Sequence, residues 1–128
     1  MAPPTTGHCL CGAMRYHASA TPLWAAHCHC ESCRRATASA FASFFGIANG
    51  QWSWTGVAPS TYQSSPGVWR DFCAACGTQM SYRSDKFPNE THFYAATLTD
   101  SAAYTATEHV HSAEMLPWLQ LSDGLPRR

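Results

Sequence analysis

Short runs rich in aromatic and β-branched residues recur along the chain, separated by polar breaks of Gly, Pro, Ser and Asn. Runs of roughly four to eight such residues between turn-forming clusters are the mark of strands. The pattern predicts strands at 13–18, 23–27, 40–47, 52–55, 60–64, 68–72, 79–83, 92–98 and 109–111. Ala48-Asn49-Gly50-Gln51 lies between two of these runs and is expected to form a hairpin turn, as is Ser65-Pro66-Gly67. Helix is scarce. Residues 31–37 can form a short helix, and residues 115–119 a further turn that Pro117 keeps short. No internal repeat and no low-complexity linker divides the chain. The expectation is a single mainly β domain over residues 1–128, built of many short antiparallel strands.

Composition narrows the partners. Charged residues make up 12% of the chain, against roughly 25% in an average soluble domain, and eight basic side chains balance eight acidic ones. A neutral chain has no long-range field to attract phosphate backbones or anionic lipid, so neither nucleic acid nor a membrane is expected as partner. The first ten residues, MAPPTTGHCL, lack both the basic and the apolar stretch of a secretory signal. The longest apolar run, 41–48, is far shorter than the ~20 residues that span a bilayer. The expected compartment is the cytoplasm.

Seven cysteines then need an explanation in a reducing environment, and an odd number cannot pair completely. Scattered core thiols are the plain alternative, but all seven fall in three tight clusters: Cys9 and Cys11; Cys28, Cys30 and Cys33; Cys73 and Cys76. Cys73-Ala74-Ala75-Cys76-Gly77 has the form of a zinc knuckle, in which a tight turn aims two sulfurs at one tetrahedral ion. A thioredoxin-type redox pair would need a strand-to-helix setting, which the strand-like residues after Gly77 do not offer. Cys9-Leu10-Cys11-Gly12 is the other glycine-followed pair and complements it, giving a four-thiolate structural zinc on Cys9, Cys11, Cys73 and Cys76.

Cys28-His29-Cys30-Glu31-Ser32-Cys33 has no eighth cysteine to close it. Three protein ligands and an open position are the usual catalytic arrangement of zinc, able to hold a thiolate or polarise a carbonyl oxygen. Spacing equally allows a histidine to supply the fourth ligand, with His8, His27, His29 and His109 all available. Arg34 and Arg35 either offset the charge of three thiolates or grip a substrate carboxylate, or form, as the at least equally expected reading, a solvated surface pair. Trp52, Trp54 and Trp69 either line a pocket or simply join the core. His109-Val110-His111 suggests a strand with two outward residues rather than a metal site.

Three segments together resemble a known family: G-H-C-L-C-G-A-M-R-Y (7–16), C-H-C-E-S-C-R-R-A-T (28–37) and F-C-A-A-C-G-T-Q-M (72–80). They are similar, in order and spacing, to the glutathione-dependent formaldehyde-activating enzyme family, which also includes centromere protein V. The ending H-V-H-S-A-E-M-L-P-W-L-Q-L-S-D-G-L-P-R (109–127) is similar as well, while Ala38 stands where many members carry glycine. The resemblance implies a β-tent fold and two zinc ions per chain. It places a structural zinc on Cys9, Cys11, Cys73 and Cys76 and a second zinc on Cys28, Cys30 and Cys33. It also implies carbon–sulfur lyase chemistry on a small thiol or aldehyde, with an S-(hydroxymethyl)glutathione-like adduct as substrate. The rival expectation is a non-catalytic zinc scaffold that presents a surface to another protein.

Overall fold

Ten strands, one α-helix and three short 3-10 turns form in a computed structural model that describes residues 1–128. The strands are β1 (Thr5–His8), β2 (Arg15–Ala18), β3 (Trp24–Cys28), β4 (Ala42–Ala48), β5 (Trp52–Trp54), β6 (Ser60–Ser65), β7 (Val68–Phe72), β8 (Gln79–Ser84), β9 (Glu90–Tyr94) and β10 (Glu108–Val110). The helix α1 (Glu31–Thr37) follows β3. Strands β1, β2 and β5 make a three-stranded sheet, and the other seven line up as β10-β3-β4-β9-β8-β7-β6. The pairs are antiparallel, except that β10 adds to β3 in parallel. No helix is long and apolar enough to cross a membrane.

Strand β4 explains the layering. Its Ala-Ser-Phe-Phe-Gly-Ile-Ala is a nearly continuous apolar run, the composition of a strand covered on both faces. Neighbouring side chains point to opposite faces. Phe45 and Ile47 therefore enter one cluster, with Phe93, Met80, Tyr16 and Ala18 of the smaller sheet, and Met14 just before β2. Ala42 and Phe44 enter a second cluster on the other face, with Cys28, Cys33 and Tyr94. Phe44 faces Tyr94 across the β4–β9 pair, their ring centres 4.4 Å apart. Gly46 has a steric role here: a Cβ at this position would lie 2.4 Å from Trp24 Nε1, so only glycine lets the indole lie over β4.

The expected turns form, with Gln51 N–H donating to the Ala48 carbonyl (3.1 Å) and Gly67 left-handed at φ 74° between β6 and β7. Helix α1 has the predicted bounds. Its C-cap, Ala38, sits at φ 52° and ψ 37°, a left-handed position that costs a non-glycine residue roughly 1–2 kcal/mol and that glycine occupies freely.

Four features differ from expectation. Strand β1 carries no large apolar residue to mark it, and it forms because Thr5 and Gly7 turn inward against β2, Gly7 opposite Tyr16. The predicted strand 92–98 begins at Glu90 and stops at Tyr94, where the Thr97 hydroxyl donates to the Tyr94 carbonyl (2.7 Å) and winds Ala95–Thr97 into a 3-10 turn. Residues 115–119 form no helix. A single hydrogen bond from Leu119 N–H to the Leu116 carbonyl closes a tight turn over Pro117 and Trp118. Finally, β10 covers Glu108–Val110 and His111 leaves it at φ 54°, so His109 does not point outward: it is fully buried.

Candidate metal centres

Two turns built alike bring the first four sulfurs together. Cys9 directly follows β1 and Cys73 directly follows β7, and each opens a loop that folds back on itself. Gly12 N–H donates to the Cys9 carbonyl (3.1 Å) and Gly77 N–H to that of Cys73 (2.7 Å), with both glycines at φ 79°. Such positive φ values suit glycine and turn backbone amides toward the enclosed sulfurs. The Sγ atoms of Cys9, Cys11, Cys73 and Cys76 all lie within 4.8 Å of one another, at 3.5 Å for Cys9–Cys11 and 3.8 Å for Cys11–Cys73. Four sulfurs at zinc's usual ~2.3 Å, set tetrahedrally, are about 3.8 Å apart. The spacing fits the ion and is far too long for a disulfide at about 2.05 Å.

Thr78 locks the two turns. Its hydroxyl oxygen accepts from Leu10 N–H (3.0 Å) and the hydroxyl lies 3.1 Å from Cys76 Sγ, placed to donate. The Thr78 hydroxyl, then the amides of Thr78 and Cys11, hold the Cys76 thiol down to about 5, so this sulfur is a ready thiolate ligand.

The second group forms where β3 runs into α1. Cys28 is the last residue of β3, Cys30 is the helix N-cap, and Cys33 lies one turn in and buried. Cys30 Sγ accepts from Cys33 N–H (3.4 Å), so the cap that starts the helix also sets the sulfur's position. The three sulfurs lie within 4.8 Å of one another. Hydrogen bonds from Cys28 and Cys33 pull the Cys30 thiol well below the usual thiol range. The bonds among the three push Cys28 far up in turn. The opposed shifts mark three sulfurs close enough to compete for one proton, a spacing that a soft dication would satisfy.

No histidine closes this group. His29 turns its ring away, its Nε2 2.8 Å from His109 Nδ1, and His109 Nε2 lies 2.8 Å from Asp123 Oδ2. His27 Nδ1 lies 2.7 Å from Ser43 Oγ, and His8 Nδ1 lies 2.8 Å from the carbonyl of Cys9. The chain from buried His29 through buried His109 to exposed Asp123 fastens the C-terminal segment beside the cysteine loop.

The two arginines after the cysteines follow the plainer of their readings, on the surface and away from the group. Arg35 pairs with Glu31 on the exposed surface of α1, and Arg34 Nε donates to the His29 carbonyl (3.1 Å). Neither lines the cavity above the sulfurs. Arg70 is the arginine that faces the group instead. It is 1% exposed, donates from Nη1 to the Tyr94 hydroxyl (2.8 Å) and from Nε to Ser64 Oγ (3.1 Å), and its guanidinium lies 5.1 Å from the Tyr82 ring centre. It has no carboxylate partner, because neighbouring Asp71 is held by Arg83 through two hydrogen bonds (2.9 and 3.0 Å). Burial works to lower the Arg70 pKa, yet Tyr94 and a hydrogen-bonded Cys33 raise it overall. Cys33, a member of the sulfur cluster, is the acidic side chain that faces it beside Tyr94. A strand pattern could have found it: adjacent charges in Val-Trp-Arg-Asp-Phe must point to opposite faces, so one of them had to enter the sheet's covered side. Arg70→Met is expected to lower stability to urea by about 3–5 kcal/mol, since removing one partner strands the other charge in the interior.

The tryptophans also divide differently. Trp52 and Trp54 pack on the first core, as their plainer reading holds. Trp69 lies under Arg83, 5.9 Å from ring centre to guanidinium. The cavity is instead flanked by Trp24 of β3, Phe44 of β4, Tyr82 of β8 and His92 of β9, with Phe87 from the β8–β9 turn. Its volume is about 320 Å³, and Cys28, Cys30 and Cys33 open into it. Glu108 and His111 are its other polar neighbours. His92 Nε2 lies 2.7 Å from Glu90 Oε1, which also accepts from Trp24 Nε1 (2.8 Å).

Residues 4–114 match the family model described as glutathione-dependent formaldehyde-activating enzyme. No protein with curated annotation matches the chain. Among solved structures, the chain is similar to a crystal structure of a Rhodobacter sphaeroides protein determined as a structural genomics target. The TM-score is 0.60 at 24% identity, over 74% of this chain and 88% of that one. That likeness concerns the fold.

Proposed function

This chain belongs to the glutathione-dependent formaldehyde-activating enzyme family, and from that premise we propose that it is a zinc-dependent carbon–sulfur lyase acting on adducts of a small thiol and an aldehyde. In this reading Cys9, Cys11, Cys73 and Cys76 hold a structural zinc. Cys28, Cys30 and Cys33 hold a second, giving two ions per chain. The reducing cytoplasm keeps all seven thiols free for metal. The observation that carries the proposal is that the three sulfurs have no fourth protein donor among them and open into a cavity.

The second zinc, when bound, supplies a Lewis-acid position for a thiolate sulfur or an aldehyde oxygen. The residues of the chain do the rest. The cavity walls hold the adduct against the three sulfurs and exclude water. As the carbon–sulfur bond breaks, its electron pair leaves with sulfur, the carbonyl forms, and the hydroxyl proton leaves oxygen. One proton moves from oxygen to sulfur, and nothing else is consumed.

His92 is placed to carry that proton. Burial lowers its pKa, against the raising effect of Glu90, and so favours the neutral ring. With Nε2–H donating to Glu90, Nδ1 is left as the basic atom. Because the shift is downward from 6.5, the basic form persists below that pH, and the acid limb of the rate profile is expected below the ordinary histidine range.

The test is a screen of thiol–aldehyde pairs by NMR, with zinc counted per chain. His92→Gln is expected to slow turnover about a hundredfold or more without changing zinc content, and to remove the acid limb. A wild-type protein carrying two zinc ions that accelerates no pair would overturn the lyase reading and leave the scaffold reading in its place.

A further inference from the structure

We propose that the thiol or aldehyde this centre takes carries an uncharged, aromatic-sized apolar group and is not glutathione itself. The inference rests on the lyase reading of the three-sulfur site and specifies its substrate. Its first support is the lining. Trp24, Phe44, Tyr82 and Phe87 present ring faces and edges around His92, with Trp24 edge-on to it at 4.5 Å, Phe87 at 4.9 Å and Tyr82 stacked at 5.4 Å. Aromatic walls of this kind reward a flat apolar guest through area and edge-to-face contact.

Charge is the second support. Glutathione brings two carboxylates and one ammonium, and its carboxylates need cations. No lysine or arginine lines the cavity. Each arginine near it is committed elsewhere: Arg70 to Tyr94 and Ser64, Arg83 to Asp71, Arg128 to Glu108. Arg34 and Arg35 border a separate surface groove with Leu116 and Trp118. The one carboxylate that lines the cavity, Glu108, is paired with Arg128, and its other titratable neighbours besides the sulfurs are His92, held by Glu90, and His111. A carboxylate moved in from water would find no lysine or arginine there, and burying it unpaired is costly.

Size is the third. A dry cavity of about 150 Å³ suffices for benzene in other proteins. Here about 320 Å³ accommodates a ring, its methylene sulfur and a small aldehyde carbon together.

The experiment is calorimetric titration of the zinc-loaded protein with phenylmethanethiol, glutathione and toluene. Phenylmethanethiol is expected to bind at least about tenfold more tightly than glutathione. Phe87 lies in a turn at 44% exposure, so Phe87→Ala keeps the fold. That variant is expected to weaken phenylmethanethiol about threefold or more while leaving glutathione unchanged. Glutathione binding as tightly as phenylmethanethiol, or no binding by any of the three, overturns the proposal. Toluene binding as tightly as phenylmethanethiol upholds the apolar preference and sinks the open metal site instead, because the sulfur would then contribute nothing.

Discussion

Cys73→Ala is expected to yield a chain that does not fold. Cys73 is buried just after β7 of the larger sheet, and Cys9 is buried just after β1 of the smaller one. A zinc ion held by their group would tie the two layers together, and both sulfurs belong to the same core cluster as Phe45 and Phe93. Zinc held by such a site contributes on the order of 10 kcal/mol to folding. A domain's entire net stability is about 5–15 kcal/mol, so the loss consumes most or all of it. Circular dichroism and zinc analysis of the variant are the measurements. A cooperative melt within a few degrees of the wild type would refute the structural role of this centre.

Cys30→Ala is expected to do the opposite: keep the fold and abolish the chemistry. Cys30 is only half-buried, and its group lies on one face of the larger sheet without joining the two sheets. Its loss removes the α1 N-cap, worth about 1 kcal/mol, from a helix of one to two turns. Two remaining sulfurs hold zinc poorly, so zinc should fall from two per chain to one. Turnover should drop on the order of a thousandfold, as several kcal/mol of Lewis-acid stabilisation disappear. Full turnover by this variant on a wild-type substrate would end the case for metal chemistry at the three-sulfur site. Together with Cys73→Ala it separates two centres that an overall metal assay cannot tell apart.

The sulfur groupings were legible because their determinants are local. Cysteines one to four residues apart must share a turn, and the glycines after Cys11 and Cys76 mark the left-handed positions found at Gly12 and Gly77. Whether a histidine would join them was not legible. The ring of His29 is taken by His109, eighty residues later in sequence, and that meeting exists only because β10 adds in parallel to β3. The cavity was hidden for the same reason. Trp24, Phe44, Tyr82 and His92 come from four strands, and only the β3–β4–β9–β8 order with its register gathers them. Trp52 and Trp54 were more visible as candidates, yet their strand belongs to the other sheet. Arg34 and Arg35 drew attention by adjacency to the cysteines, but on α1 they point toward solvent and the helix surface. Arg70, forty residues from Cys30 along the chain, is the cation that arrives.

The two-faced strand β4 has a consequence for how this protein can change over time. Phe45 and Ile47 answer to the interior shared by the sheets, while Ala42 and Phe44 answer to the chamber above the sulfurs. Mutations on the second set are largely insulated from the first, since successive residues on a strand face opposite sides of the sheet. A lineage could therefore trade one reactant for another by altering Phe44, Tyr82 or Phe87, without renegotiating the bond between the layers. Diversification of chemistry on a constant frame is the natural outcome of that separation.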